Sequence, residues 1–190
     1  MKRRIFTAID ISDETREKAA DYIENLRREF PDVRVGWDKP EKFHLTMKFL
    51  GEIDERQLNE LTAAVARTAD QFSNLKLQIA ETGVFPSKRN ARVLWLGVQE
   101  KQGSLQSLNE ILESECERRG FPKEKRNFKA HLTIARLREP HKSRELIERH
   151  SEESFVSDEF EVSEIVIYES RLQKSGSNYS IVSKHSLKNN

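Results

Sequence analysis

The stretch His44-Leu-Thr-Met-Lys-Phe-Leu-Gly-Glu52 decides the fold, because it recurs as His131-Leu-Thr-Ile-Ala-Arg-Leu-Arg-Glu139. Five of the nine positions are identical, and the two histidines lie 131 − 44 = 87 residues apart. The whole chain has only 5 histidines, so a repeat that begins at two of them is suggestive before any chemistry is considered. It predicts two equivalent strands, one in each half of the chain.

Each copy has the pattern of a strand with two different faces. Alternate residues of a strand share a face, so we expect His44 and Thr46 on one side and Leu45, Met47 and Phe49 on the other. The second copy sorts in the same way. One face of each strand is therefore predicted to pack against helices, while the other presents an imidazole beside a hydroxyl. Two such faces, related by a pseudo-twofold axis, surround a site small enough for one phosphate.

The rest of the chain interleaves helical and strand-like patterns, with no Pro/Gly/Ser-rich linker between its halves. Four helices are predicted, with starts near Ser12, Asp54, Ser104 and Ser143. Strands are predicted over residues 5–9, 43–50, 75–80, 92–98, 128–137, 160–168 and 179–182. This order favours an α+β fold, a single domain over residues 1–190 made of two closely packed sheet-and-helix lobes.

Composition narrows the class of protein. With 36% hydrophobic and 34% charged residues, the chain is typical of a soluble globular protein, and no apolar run approaches the roughly 20 residues needed to cross a bilayer. Cys116 is the only cysteine, which favours a reducing cytoplasm. The net charge of +1 argues against a protein that holds long nucleic acid by neutralising many phosphates. We expect a cytoplasmic monomer without membrane contact, whose phosphate chemistry is local.

The repeated side chains suit acid-base chemistry at a phosphate. An imidazole with a pKa near ~6.5 exists partly as acid and partly as base near neutral pH, so His44 and His131 can divide those tasks. The hydroxyls of Thr46 and Thr133 can donate hydrogen bonds to phosphoryl oxygens. A zinc site is the competing interpretation. It is disfavoured because threonine holds the position where a His-x-His site has its second ligand, and no His-Glu-x-x-His sequence is present. We therefore expect no metal and no cofactor.

The two His-Leu-Thr motifs resemble the paired signature of the two-histidine phosphoesterases, and more closely that of the RNA 2′,3′-cyclic phosphodiesterases, also called 2′-5′ RNA ligases. The resemblance covers almost the whole chain and includes residues 5–10, Trp37, 43–51, 83–86, 92–95, 128–136, 168–170, Gly176 and Tyr179. It implies a bilobal fold in which two antiparallel sheets flank a cleft. It also implies opening of a terminal 2′,3′-cyclic phosphate of RNA to a 2′-phosphate, with reverse chemistry that joins RNA ends without ATP.

Carried over by motif position, the resemblance makes His44 the proton donor and His131 the proton acceptor, with Thr46 and Thr133 on the phosphate. Arg136 matches an arginine that follows the second motif in the family and suits a phosphate. Strand alternation argues against this, because a residue five positions after His131 faces the opposite side unless the strand bulges or ends before it. A solvated arginine or one in a structural ion pair is the alternative. Lys48 in the first copy has the parity of the cleft face, where it is expected at the rim.

Two alternatives use the same residues. A phosphoesterase for small cyclic nucleotides needs the same two motifs. An RNA-end binding module without turnover is the other, and the two complete His-Leu-Thr copies count against it because binding alone does not require two titratable imidazoles.

Overall fold

The computed structural model describes residues 2–173 and 176–188. Of the domain predicted over residues 1–190, residues 1, 174–175 and 189–190 lie outside that description. No helix in the described ranges combines the length and the apolar character that crossing a membrane requires.

The described residues form nine strands and four helices, joined by short 3₁₀ turns and loops. The strands are β1 (Arg3–Asp10), β2 (Val35–Trp37), β3 (His44–Ile53), β4 (Leu75–Phe85), β5 (Val93–Gln99), β6 (His131–Leu137), β7 (Val156–Val162), β8 (Glu164–Gln173) and β9 (Gly176–Ser186). The helices are α1 (Asp13–Glu29), α2 (Glu55–Ala69), α3 (Ser104–Arg118) and α4 (Arg144–Glu152).

The strands form two antiparallel sheets, which confirms the predicted α+β fold class. One sheet has the order β3-β1-β8-β9 and the other β2-β6-β5-β4-β7. The repeated strands have equivalent neighbours on one side, because β3 pairs with β1 as β6 pairs with β5, but β3 is the edge of its sheet while β6 also pairs with β2. The lobes are intertwined in the chain. Strand β4 follows α2 of the first half yet joins the sheet of the second, and β8 and β9 return to the first sheet.

The helix starts follow the local signals in the sequence. The Ser12 side chain accepts a hydrogen bond from the backbone N–H of Thr15 and caps α1. Asp54 and Gln57 form a reciprocal capping box at the start of α2. At α3 the cap is less direct, since the carboxylate of Glu100 accepts from the first two backbone N–H groups of the helix. All four predicted helices are confirmed.

One predicted strand was wrong. Residues 160–168 were expected as a single strand, but the chain changes sheets at Ser163, between β7 and β8. The burial pattern changes at the break, because Phe160 and Val162 alternate with exposed residues in β7, whereas Ile165, Val166 and Ile167 are all buried in β8. Strand β2 was not predicted, because three residues are too few for a recognisable pattern.

A continuous hydrophobic core fixes the two sheets relative to each other. It includes side chains from both sheets and all four helices, among them Leu26, Leu45, Leu61, Leu96, Leu112, Leu132 and Leu146. The motif strands β3 and β6 contact each other across the interior. The predicted two-lobed body therefore places the two repeats side by side.

Candidate active site

The repeated strands border one cavity of about 640 Å³. His44 and Thr46 of β3 lie on one wall, and His131, Thr133 and Arg136 of β6 lie on the other. The structure thus brings together all five residues that the sequence singled out. Further lining residues are Asp38, Lys42, Phe49, Phe85, Lys129 and Tyr179.

Each imidazole is oriented by the backbone two residues before it. The Nδ1 atom of His131 lies 2.7 Å from the carbonyl oxygen of Lys129. Because a carbonyl only accepts, this contact places the proton on Nδ1 and leaves Nε2 with a free lone pair. His44 makes a backbone hydrogen bond with Lys42, and its Nε2 atom lies 3.1 Å from Oγ1 of Thr46. The ring of His131 is therefore held with Nε2 available for proton transfer, whereas Nε2 of His44 faces the Thr46 hydroxyl at the cavity.

Aromatic neighbours remove water from both rings. His44 lies against Phe6 and Tyr179, with ring centroids 4.9 Å and 5.3 Å away, and the edge of Phe85 lies 4.9 Å from His131. Burial lowers the pKa of His44 to about 4, although the backbone hydrogen bond to Lys42 opposes the change. Burial also lowers the pKa of His131, and the positive charges of Arg136 and Lys129 add to the effect. Both imidazoles are therefore neutral in the free protein at pH 7.

A bulge interrupts each motif strand at the same place. In β3, Thr46 and Lys48 pair with consecutive residues of β1, so Met47 is the extra residue. In β6, Thr133 and Ala135 pair with consecutive residues of β5, so Ile134 is extra. Both bulges fall three residues after the histidine. Each reverses the alternation, and the residue five positions after the histidine returns to the cleft.

The bulges determine which side chains lie at the mouth of the cleft. In β6 the returning residue is Arg136, which lines the cavity. The strand therefore has the bulge that the predicted place of Arg136 in the cleft requires. In β3 the returning residue is Phe49, and its predicted place on the apolar face was wrong. The Phe49 side chain is 69% exposed and borders the same cavity as the two histidines.

Comparison with known proteins agrees with this arrangement. The profile of the family described as LigT-like phosphoesterases matches the chain twice, at residues 9–95 and 96–179, once for each motif. The chain belongs to the LigT-like phosphoesterase family. The RNA 2′,3′-cyclic phosphodiesterase of Thermotoga maritima is 34% identical to it over 94% of this chain and 92% of that protein. The protein of the same name from Archaeoglobus fulgidus is 32% identical over 93% of this chain and 96% of its own length.

Solved structures share the fold. The protein TT0787 of Thermus thermophilus superposes with a TM-score of 0.78 at 24% identity, over 97% of both chains. The LigT protein of E. coli complexed with 3′-AMP gives a TM-score of 0.75 at 24% identity, over 98% of this chain and 99% of that chain. At this level of identity the likeness shows the fold alone.

Lys48 of this LigT-like phosphoesterase does not lie at the rim, so that expectation was wrong. The bulge turns it inward, where its Nζ atom donates to Glu113 at 2.6 Å and to the carbonyl oxygen of Pro122 at 2.9 Å. Glu113 also accepts from the backbone N–H of Glu124. Buried Asn109 donates to the carbonyl of Met47, the bulge residue itself. Helix α3 thus supports both the bulge and the loop that follows it.

Lys42, Lys129 and Asp38 are among the charged residues of the cleft that the sequence analysis did not place there. Lys42 lies two positions before His44, as Lys129 lies two before His131, so extending the repeat backwards would have found both. Asp38 follows the unpredicted strand β2, and nothing in its sequence context marks it. Burial raises the pKa of Asp38, while Arg136 and Lys42 lower it.

Metal binding by clustered side chains finds no support in the geometry. Over residues 2–173 and 176–188, no three His, Cys, Asp or Glu side chains are grouped so that they could hold a metal ion. Metal-independent turnover stays a prediction, which the chelator experiment below tests.

Proposed function

We propose that this LigT-like phosphoesterase opens 2′,3′-cyclic phosphate ends of RNA to 2′-phosphates by acid-base catalysis with His44 and His131. One observation carries the proposal. Two His-x-Thr pairs from equivalent strands face a single cavity, and each imidazole is oriented by a backbone contact two residues before it. The names of the relatives from Thermotoga maritima and Archaeoglobus fulgidus agree with this chemistry.

In the proposed reaction, Nε2 of His131 takes a proton from water as the water oxygen bonds to phosphorus. The bond from phosphorus to the ribose 3′ oxygen breaks, and the imidazolium of His44 gives its Nε2 proton to that oxygen. The products are a 2′-phosphate and a 3′ hydroxyl. The division of roles follows the order of the motifs in the family. Because His44 is neutral in the free protein, the negative phosphate must raise its pKa on binding.

Charge on the phosphoryl oxygens is stabilised by three donors. Thr46 and Thr133 offer one hydroxyl from each wall, and Arg136 offers a guanidinium that can hold two oxygens at once. In the free protein the Thr46 hydroxyl lies 3.1 Å from Nε2 of His44, so it must turn toward the phosphate when the substrate binds.

The exposed ring of Phe49 provides a place for the base of the terminal nucleotide. A nucleobase stacked on an aromatic side chain contributes about 1–3 kcal/mol without sequence preference. Phe49 is largely exposed at the border of the cavity, and its ring also contacts Phe6. The base is thus held by β3, whereas the phosphate is held by Thr46 of β3 together with Thr133 and Arg136 of β6.

The same site accommodates a different nucleophile. A 5′ hydroxyl of a second RNA in place of water gives a 2′-5′ linkage without ATP, and we propose this joining as a side activity. We also propose a single-domain cytoplasmic monomer. One chain supplies both motifs, and the only cysteine, Cys116, is buried, which raises its pKa to about 12.

Phosphorus NMR of the product formed from adenosine 2′,3′-cyclic phosphate tests the proposal. We expect a 2′-phosphomonoester, at the same rate with and without excess EDTA. A 3′-phosphate product would reject the proposed leaving group. Activity that EDTA abolishes and zinc restores would show that the acid and base are not supplied by protein groups alone.

A further inference from the structure

The catalytic cavity continues into a second groove that the proposed reaction does not use. This groove has a volume of about 750 Å³ and shares Asp38, Lys42, Phe49, Arg136 and Tyr179 with the catalytic cavity. It runs between the start of β1, the end of β6 and the β8–β9 hairpin. We call it the side groove.

Two arginines reach the side groove from opposite lobes. Arg4 lies two residues before Phe6, whose ring contacts His44, so Arg4 shares the cleft face of β1 at a distance of about 7 Å along the strand. Arg138 lies two residues after Arg136 at the end of β6. Each arginine therefore lies two residues, about 7 Å along an extended chain, from a residue at the catalytic cavity: Phe6 for Arg4 and Arg136 for Arg138. That distance is close to the spacing of neighbouring phosphates in an extended RNA strand.

The backbone of the side groove leaves room for these cations. Nε of Arg138 lies 3.8 Å from the point that a Cβ atom on Gly36 would occupy. Nζ of Lys42 lies 3.4 Å from the corresponding point on Gly176, so it reaches across to the hairpin. Gly51 has open space around it. These glycines thus leave space in the groove beside Lys42 and Arg138.

Arg4, Lys42 and Arg138 are not neutralised by protein carboxylates. Within the residues that the structure describes, none of the three has a carboxylate oxygen within 4.0 Å, whereas the neighbouring Arg3 is paired with Glu169 at 2.9 Å. Asp38 is the one carboxylate among the described residues that line the groove. In a protein with a net charge of +1, this is a local excess of positive charge.

We infer that the side groove binds the phosphodiester on the 5′ side of the terminal nucleotide, with Arg4 and Arg138 as its ligands. This inference rests on the proposed function and names its substrate class. The protein acts on oligonucleotides that end in a cyclic phosphate in preference to a nucleoside cyclic phosphate. The charge is small enough that one internal phosphate, not a long tract, is held.

Three substrates test the inference: adenosine 2′,3′-cyclic phosphate, the adenylyl dinucleotide that ends in the same group, and that dinucleotide with a neutral methylphosphonate linkage. The unmodified protein should favour the charged dinucleotide by kcat/KM. The double variant Arg4→Gln, Arg138→Gln should lower the ratio of dinucleotide to mononucleotide about tenfold, since hydrogen bonds to charged groups are lost. The methylphosphonate substrate should lack the preference already and respond no further to the double variant.

Arg126→Gln is the matched control, because Arg126 lines the catalytic cavity but not the side groove. It should leave the substrate ratio as it is. Salt gives a second readout: the slope of log kcat/KM against log salt for the charged dinucleotide should become shallower by about 0.7 in the double variant. A merely structural role for the arginines would move neither the slope nor the ratio.

An unchanged ratio in the double variant, or an equal fall in Arg126→Gln, would overturn the inference while turnover of the mononucleotide left the proposed function standing. Failure of the unmodified protein to open any of the three substrates would overturn both.

Discussion

Strands β3 and β6 share a sequence repeat, an antiparallel neighbour on one side and a bulge at the same position, yet they differ at the residues that the bulge redirects. Five positions after the histidine, β3 presents Phe49 to the cleft and β6 presents Arg136. The backbones of the two strands bulge in the same way, but the side chains at this position differ in chemistry. A cyclic phosphate end has an anion and a flat base, so two matched walls with different tips suit the two parts of one substrate.

The residue that precedes Phe49 in β3 or Arg136 in β6 is buried, and it also differs between the two strands. In β3 it is Lys48, buried with Glu113, and in β6 it is Ala135, packed among apolar side chains. A buried ion pair is weak support for stability on its own, but it can fix one arrangement of the elements that it joins. Here it ties β3 to α3 and, through the carbonyl of Pro122, to the loop that leads to the second motif.

Removing either imidazole should have the largest effect. His44→Ala and His131→Ala are each expected to lower kcat by roughly 10²–10⁴-fold, because each ring moves a proton in the transition state. Single-turnover kinetics on adenosine 2′,3′-cyclic phosphate measures this. If one variant kept full activity, the two strands would not be catalytic equivalents.

A substrate with sulfur in place of the 3′ bridging oxygen separates the two histidines. A thiolate leaves without a proton, so His44→Ala should be largely rescued by this substrate, and His131→Ala should not, because water still needs its base. Rescue of the His131 variant instead would exchange the roles of the strands. Rescue of neither would mean that His44 does not protonate the leaving group.

Substitution of Arg136 should have the next largest effect on the rate. Arg136→Ala is expected to lower kcat by about 10²–10³-fold with a smaller change in KM, since a donor aimed at developing charge is lost. Arg136→Lys keeps the charge but not the two-pronged contact, and should recover only part of the rate. Steady-state kinetics of both variants checks this. A full rate in Arg136→Ala would place the guanidinium in solvent and leave the phosphate to the threonines.

The sequence predicted the parts of the site that depend on local pattern. The repeat and its alternation located His44, Thr46, His131 and Thr133, because a strand of known phase fixes which side chains share a face. The bulges could not be predicted, since they depend on pairing with β1 and β5 and on the contact from Asn109, all distant in sequence. This one unpredicted feature accounts for the wrong placement of both Lys48 and Phe49.

The point at which the chain passes from one sheet to the other could not be predicted, for a similar reason. Residues 160–168 are mostly apolar, and only the polar pair Ser163-Glu164 separates two strands that belong to different sheets. Which sheet a strand joins depends on partners far along the chain. The sequence therefore predicted the elements better than their connections.

Phe49→Ala should have a smaller effect of a different kind. Loss of a stacking platform is expected to raise KM for adenosine 2′,3′-cyclic phosphate about tenfold while kcat changes little. Phe49→Trp keeps a flat face and should retain a low KM, whereas Phe49→Leu keeps only hydrophobic contact and should fall between. Equal KM values in all four proteins would show that the tip of β3 does not touch the base, and the contrast with Arg136 would fail.

The smallest expected effect is on pH dependence, and it compares the two imidazoles directly. The reaction needs one protonated and one neutral ring. In the free protein the pKa of His44 is about 4 and that of His131 is lowered from 6.5, so both rings lose their protons below pH 6.5. Because kcat/KM reports the free protein, its bell-shaped profile should have both limbs below pH 6.5.

The profile of kcat should lie at higher pH than that of kcat/KM. It reports the bound state, where the negative phosphate favours both imidazolium forms and raises both pKa values. Proton NMR of the two rings in the free protein provides an independent check, with the His44→Ala variant assigning the signals. If the two limbs of the kcat/KM profile lay on either side of pH 7, the aromatic surroundings of His44 and His131 would not lower their pKa values. His44 could then be protonated in the free protein without help from the bound phosphate.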